Sequence, residues 1–195
     1  ISAGNTQSFL AGPPGAIHAV LVYGPDSGLV RERGKALIHA IVDDPSDPFR
    51  VVELSPASLR DDPAILADES AAMSLTGGRR VVSIRDATDG NAGAFEEFLR
   101  QPIGDALIVV EAGNLGARSK LRKAFEDPKT VAAAIPCYAD DGRTLNEVIS
   151  RTLAASGLRA SRDAMAYLSA NLGNDRMISR AELEKLTLYM AGHEE

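Results

Sequence analysis

The sequence predicts an α/β fold, a mainly parallel sheet with flanking helices, followed by a small all-helical domain. Two observations carry this expectation. Up to about residue 139, short apolar runs bounded by turn residues alternate with segments of helical period. That pattern marks strands buried on both faces and joined by crossover helices. From Gly142 onward no strand pattern remains, and three helical segments follow one another. The domains are therefore placed at 1–139 and 140–195.

Asn5 to Leu10 reads as a short helical turn ahead of the loop Gly12-Pro13-Pro14-Gly15. Ala19 to Tyr23 is an unbroken apolar run and the first strand, stopped by Gly24-Pro25-Asp26-Ser27-Gly28. A helix follows from Leu29, with Val30, Leu37, Ile38 and Ile41 near a period of 3.6. Phe49 to Leu54 is the second strand. Asp62-Pro63 has the form of an N-cap with proline at the first helical position, and its helix is expected to end between Ser74 and Gly78. Arg80–Arg85 is the third strand, Ala94–Leu99 a short helix and Ala106–Val110 the fourth strand. Ala117–Glu126 is a helix, followed by a weaker strand over Val131–Ile135. The last three helices span Arg143–Ala155, Arg162–Asn171 and Ser179–Met190. Ser161 serves as an N-cap, Gly157 and Gly173 as C-caps, and Ser179 with Glu182 as a capping box.

Composition narrows the function classes. The chain has 195 residues, and its 21 basic and 27 acidic side chains give a net charge of −6, so it lacks the basic surface of an autonomous nucleic-acid binder. One cysteine, Cys137, excludes an internal disulfide and a cysteine-cluster metal site. His18, His39 and His193 stand far apart. No apolar run approaches the roughly 18 residues that cross a bilayer, and no basic region followed by an apolar stretch opens the chain. The expectation is a soluble, cytoplasmic protein. Because the chain opens on Ile1, it reads as a piece of a longer one.

A strand running into Gly24-Pro25 and then a helix is the setting of a phosphate-binding P-loop, G-x-x-x-x-G-K-[ST]. The eight positions here are Gly24, Pro25, Asp26, Ser27, Gly28, Leu29, Val30 and Arg31. Val30 stands at the lysine position and Arg31 at the hydroxyl position, while Leu29 replaces the second glycine. Asp26 adds negative charge where a polyphosphate would lie, so the loop is degenerate and no cofactor is expected. Asp86 stands where an ATPase carries a metal-shell carboxylate, but Ala87 replaces the second acid, which leaves Asp86 as a strand-end residue. Asn114 follows the fourth strand at the place of a polar sensor, and equally suits a turn at Gly113-Asn114. No nucleophile elbow, H-E-x-x-H or G-x-G-x-x-G motif occurs, and no catalytic residue is assigned.

Two further segments can carry contacts. Arg118, Lys120, Arg122 and Lys123 make the densest basic cluster, on a helix whose Leu121 and Phe125 supply the buried stripe. They form either a solvated face or a subunit or phosphate contact. Met73-Ser74-Leu75-Thr76-Gly77-Gly78 ends a helix with apolar side chains and then two glycines. Met73 and Leu75 cannot both enter one core from a regular helix, so either this is turn packing or one of them is presented outward.

These landmarks extend into longer stretches: Leu21–Asp26 with Gly28–Arg33, Ala72–Leu75 with Gly77–Arg80, and Val81–Asp86. Further on come Ile108–Asn114, Arg118–Lys123, Pro136–Asp140, and Gly173–Arg176 with Glu182–Leu186. In order and spacing they resemble the delta subunits of bacterial DNA polymerase III, within the AAA+ clamp-loader group. The resemblance implies an AAA+ (P-loop NTPase-like) domain, a helical lid domain, and a third, all-helical collar domain beyond this chain. It implies a subunit of the DNA-directed DNA polymerase holoenzyme that binds and opens the sliding clamp in DNA replication and has no activity of its own. The partners implied are the clamp (beta subunit) and the other clamp-loader subunits, with DNA reached through the assembled complex and no membrane. The clamp-inserting apolar pair of the family falls on Leu75 and Thr76, and Thr76 departs from the aromatic found in some relatives, so Met73 is added to the candidate contact. The alternatives are a divergent P-loop ATPase, against which Val30 argues, or another AAA+ scaffold with a different protein client.

Overall fold

Five strands form one parallel sheet in the order β2-β3-β4-β1-β5. They are β1 (Ala19–Tyr23), β2 (Val51–Leu54), β3 (Val81–Ala87), β4 (Leu107–Ala112) and β5 (Ala132–Pro136). The computed structural model describes residues 3–74, 77–138, 142–172 and 176–191. The chain divides into two compact units, Ile1–Cys137 and Tyr138–Glu195.

In the first unit every side chain of β1 and β4 is buried, because helices cover both faces of the sheet. Ala19, Leu21 and Tyr23 point to one face and Val20 and Val22 to the other, as the two-residue period of a strand requires. The first face packs against α3 (Pro56–Asp61), α4 (Ile65–Ala71), α5 (Ala92–Arg100) and α6 (Lys120–Glu126) through Leu59, Leu66, Phe95, Phe98, Leu121 and Phe125. The other face packs against α2 (Ser27–His39) through Leu29, Val30, Leu37 and Ile38, with Phe9 and Leu10 of α1 (Ala3–Ala11) at its margin.

Several boundaries differ from expectation for local reasons. The Asp62-Pro63 start signal does not begin a helix: the Asp62 carboxylate accepts from the Ala64 N–H and closes a turn. Ser55-Pro56 carries the same signal seven residues earlier and starts α3, a helix absent from the sequence-based expectation. The following helix, α4, stops at Ala71 and Ala72 is already extended, so Met73 lies beyond the helix rather than on its last turn. Ser119 caps α6, so Arg118 precedes the helix and does not share its face. In the second unit α7 (Gly142–Ala155), α8 (Arg162–Asn171) and α9 (Arg176–Tyr189) enclose Ile149, Leu153, Leu158 and Leu183. Ser161 caps α8 and Gly157 takes a positive φ of 75° after α7, as the sequence predicts. Ser179 is buried inside α9 rather than standing at its N-cap, because that helix begins at Arg176. Gly173 lies outside the described residues. Among the described residues no helix is long and apolar enough to cross a membrane.

Candidate functional site

The loop Gly24–Asp26 leaves the carboxyl end of β1, inside the sheet, where open α/β folds hold their ligands. Its geometry is fixed by protein groups. The Gly24 N–H donates to the Gly113 carbonyl at 3.1 Å, and the Cys137 N–H donates to the Tyr23 carbonyl at 2.6 Å. A Cβ at Gly24 would lie 1.9 Å from the Cys137 carbonyl oxygen. Glycine is therefore required here by the close approach of the chain leaving β5, with no phosphate in the argument. The carboxylate of Asp26 accepts the Leu29 N–H at 2.9 Å and caps α2. A side-chain anion thus occupies the helix N-terminus that a P-loop would offer to phosphate.

The positions that the sequence sets against a P-loop are turned to internal use. Val30, at the lysine position, is buried in the core. Arg31, at the hydroxyl position, puts its Nε 3.4 Å from Glu111 Oε2. Arg33, further along α2, donates to the Pro136 carbonyl at 2.7 Å and ties that helix to the end of β5. Glu111 is buried against Gly34, where a Cβ would come within 2.3 Å of its Oε1. Burial pushes the Glu111 carboxyl above the ordinary glutamate range, while the Arg31 and Arg85 cations pull it back.

Beside Glu111, Arg85 pairs with Glu53 at 3.2 Å. Together with Arg31, Ser55 and Asp86 they line an open groove of about 340 Å³ at the carboxyl ends of β2 and β3. Asp86 sits at a register shift in β3 with φ of 56°, an exposed residue in left-handed backbone. Asn114 is exposed in the loop after β4. Sequence reasoning missed Glu111, although a single carboxylate inside the apolar run Ile108–Ala112 was a legible signal.

The four residues of the basic cluster separate. Arg118 and Lys120 are exposed around Ser119, whose hydroxyl donates to Asp89 at 2.5 Å. Arg122 turns inward, paired with Glu126 at 2.8 Å and lying 5.2 Å from the centre of the Tyr23 ring. Lys123 lines a different groove, with Arg100, Lys129, Glu96 and Asp127, between α5 and α6.

Met73 is 91% exposed, two residues beyond α4. Leu75 and Thr76 lie outside the described residues. The helix end from which Met73 emerges is anchored on two sides. Arg80, itself buried, reaches back to it from the position just before β3, and the Ser70 hydroxyl donates to the Ile103 carbonyl at 2.8 Å. Gly104, at φ of 76°, lies so close under Ser70 that a Cβ would meet its carbonyl oxygen at 1.9 Å.

No family model and no curated protein matches the sequence. Solved structures do match its shape. The Bacillus subtilis DNA clamp loader delta protein is similar over 100% of this chain and 59% of its own, with 18% identity and a TM-score of 0.67. A DNA polymerase III gamma subunit-related protein from Thermotoga maritima is similar over 92% of this chain and 57% of its own, with 15% identity and a TM-score of 0.56. A RuvB variant from Thermotoga maritima is similar over 96% of this chain and 60% of its own, with 14% identity and a TM-score of 0.55. The chain thus spans about three fifths of the length of these neighbours. The fold is that of AAA+ proteins, as the sequence predicts.

Proposed function

We propose that this chain is a non-catalytic part of a DNA polymerase III clamp loader, of the delta type, which binds and opens the sliding clamp. The observation that carries the reading is Met73: a large apolar side chain, almost wholly exposed, immediately after an anchored helix end and two residues before Leu75. Burial of such side chains against a partner gives roughly 1.5–3 kcal/mol each, enough for a small anchor to matter. The self-capped α2 supports a binding role over nucleotide chemistry, since Asp26 and the ion-paired Arg31 replace the parts that would hold phosphate and metal. In this reading 1–139 is the AAA+-like domain, 140–195 the helical lid, and ATP-driven changes in neighbouring subunits expose or hide the Met73–Thr76 surface. Arg118 and Lys120, exposed ahead of and at the start of α6, are placed to meet a neighbouring subunit. The protein would act in the cytoplasm and reach DNA through the assembled loader.

The test is capture of this chain on immobilised sliding clamp from the same organism, with wild type, Leu75→Ala and Met73→Ala compared. Leu75→Ala is expected to weaken capture by roughly ten- to a hundredfold, as loss of one buried leucine predicts, and Met73→Ala by less. Failure of the wild type to be retained sinks the proposal; equal retention of all three removes this surface from the site.

A further inference from the structure

We propose that Arg80 is a positioning residue for the Met73 surface, holding the peptide that presents Met73 in a fixed direction. The inference rests on the clamp-binding reading for its purpose, but its geometry is independent of that reading. Arg80 immediately precedes β3, and its own carbonyl accepts the Leu107 N–H at 2.9 Å, so its backbone is tied to the sheet. Its guanidinium is almost fully buried and spreads over four acceptors. Nη1 donates to the Glu69 carbonyl at 2.9 Å and the Ala72 carbonyl at 3.3 Å, Nη2 to Glu69 Oε2 at 3.1 Å, and Nε to the Phe49 carbonyl at 3.2 Å.

Two of those acceptors explain why an arginine is needed. Glu69 and Ala72 carry carbonyls of the last turn and C-cap of α4, which have no intrahelical partner. Ala72 has already left the helix, with φ −64° and ψ 129°, and its carbonyl belongs to the peptide bond that leads into Met73. By gripping one carbonyl inside the helix and one just past it, a planar donor fixes the angle at which the chain turns away. A lysine is a single point charge and cannot span both acceptors while reaching the carboxylate and Phe49. The Ser70 to Ile103 bond fixes the other side of the same turn, so Arg80 acts against a firm back wall rather than dragging a loose segment. The consequence is preorganisation: the peptide that leads into Met73 is fixed before a partner arrives, and less freedom is lost there on binding.

A spin label tests this without any partner. Met73→Cys can be labelled selectively, because the native Cys137 is buried. The label's spectrum is compared in otherwise wild-type protein, with Arg80→Lys, and with Ile135→Val, a core truncation on the opposite edge of the sheet that lowers stability without touching α4. Arg80→Lys is expected to increase label mobility, and Ile135→Val to leave it unchanged. In parallel, unlabelled Arg80→Lys is expected to bind clamp about tenfold more weakly, the order of one lost charge-assisted hydrogen bond, while Ile135→Val stays within about twofold. Combined with Met73→Ala and Leu75→Ala, Arg80→Lys should cost nothing further. An unchanged label spectrum in folded Arg80→Lys overturns the inference. If wild type does not bind clamp at all, the functional reading fails while the label still judges the geometry. Should Arg80→Lys not fold, Glu69→Ala, which removes one acceptor and leaves both carbonyls gripped, must keep the label ordered or the inference fails.

Discussion

Asp26 and Glu111 show how single carboxylates shape the surroundings of the loop after β1. Asp26 satisfies an N–H at the start of α2 with its own side chain, so the helix end is closed by the chain itself. Glu111 is the costlier group, since a carboxylate taken out of water is destabilised unless its partners compensate. Burial raises its proton affinity in the folded state above that of the unfolded chain. A carboxyl with a raised folded-state pKa contributes stability that is full below the unfolded value and lost as pH rises through the folded one. Glu111→Gln should therefore flatten the dependence of stability on pH across the mildly acidic range and leave the protein at least as stable as wild type at neutral pH. Urea midpoints of both proteins across that range measure this, and a variant that loses stability at neutral pH would show that the Arg31 pair outweighs the burial. Asp86 is a different kind of exception. Its left-handed backbone costs roughly 1–2 kcal/mol for most residues and less for Asp, whose short polar side chain tolerates the conformation.

At the scale of elements, short helices here are held by what they touch. α6 has seven residues and α4 seven, both well below the length at which an isolated helix is stable in water. α6 is kept in place by Leu121 and Phe125, and Phe125 meets Phe95 of α5 edge-to-face with centroids 5.4 Å apart. Phe125→Ala is expected to destabilise the first unit by about 3–5 kcal/mol, the usual cost of emptying a buried phenylalanine site, and to lower the thermal midpoint accordingly. A loss under about 1 kcal/mol would mean that α6 is carried by its cap and ion pairs instead. The Leu121–Phe125 stripe was legible at i, i+4 spacing. The start of α6 was less so, because Arg118 is as good a helix former as Lys120 or Leu121. Only the Ser119 hydroxyl, bonded to Asp89 and to the Arg122 N–H, ends the ambiguity.

For the whole molecule, the two units have very different cores. The first packs both faces of a five-stranded sheet, with large clusters on each side. The second rests on Ile149, Leu153, Leu158 and Leu183 as its fully buried apolar side chains among the described residues. Domains of so few residues bury a smaller fraction of their surface and are correspondingly marginal. A fragment of residues 1–137 is expected to unfold in one cooperative transition with a midpoint close to that of the first unit in the full chain, as read by circular dichroism. A fragment that arrives unfolded would show that the first unit draws its stability from the second.

The order of residue types along the chain was enough to predict the parallel sheet and the helical second part, and to raise the expectation of a loop unsuited to phosphate, because apolar runs and missing donors are local facts. A valine at the lysine position of the loop supplies no donor whatever surrounds it. Only the folded chain could show where the neighbouring side chains turn instead, since Arg31 meets Glu111 across 80 positions and Arg33 meets Pro136 across 103. It also decided where the helix before Met73 ends. Ser55-Pro56 and Asp62-Pro63 carry the same local start signal, and the choice between them depends on packing of Leu59 and Leu66 against the sheet. In the sequence Arg80 is no more than the polar edge of a strand; its role depends on carbonyls 8 and 11 residues earlier that come within reach only after α4 is folded against β3.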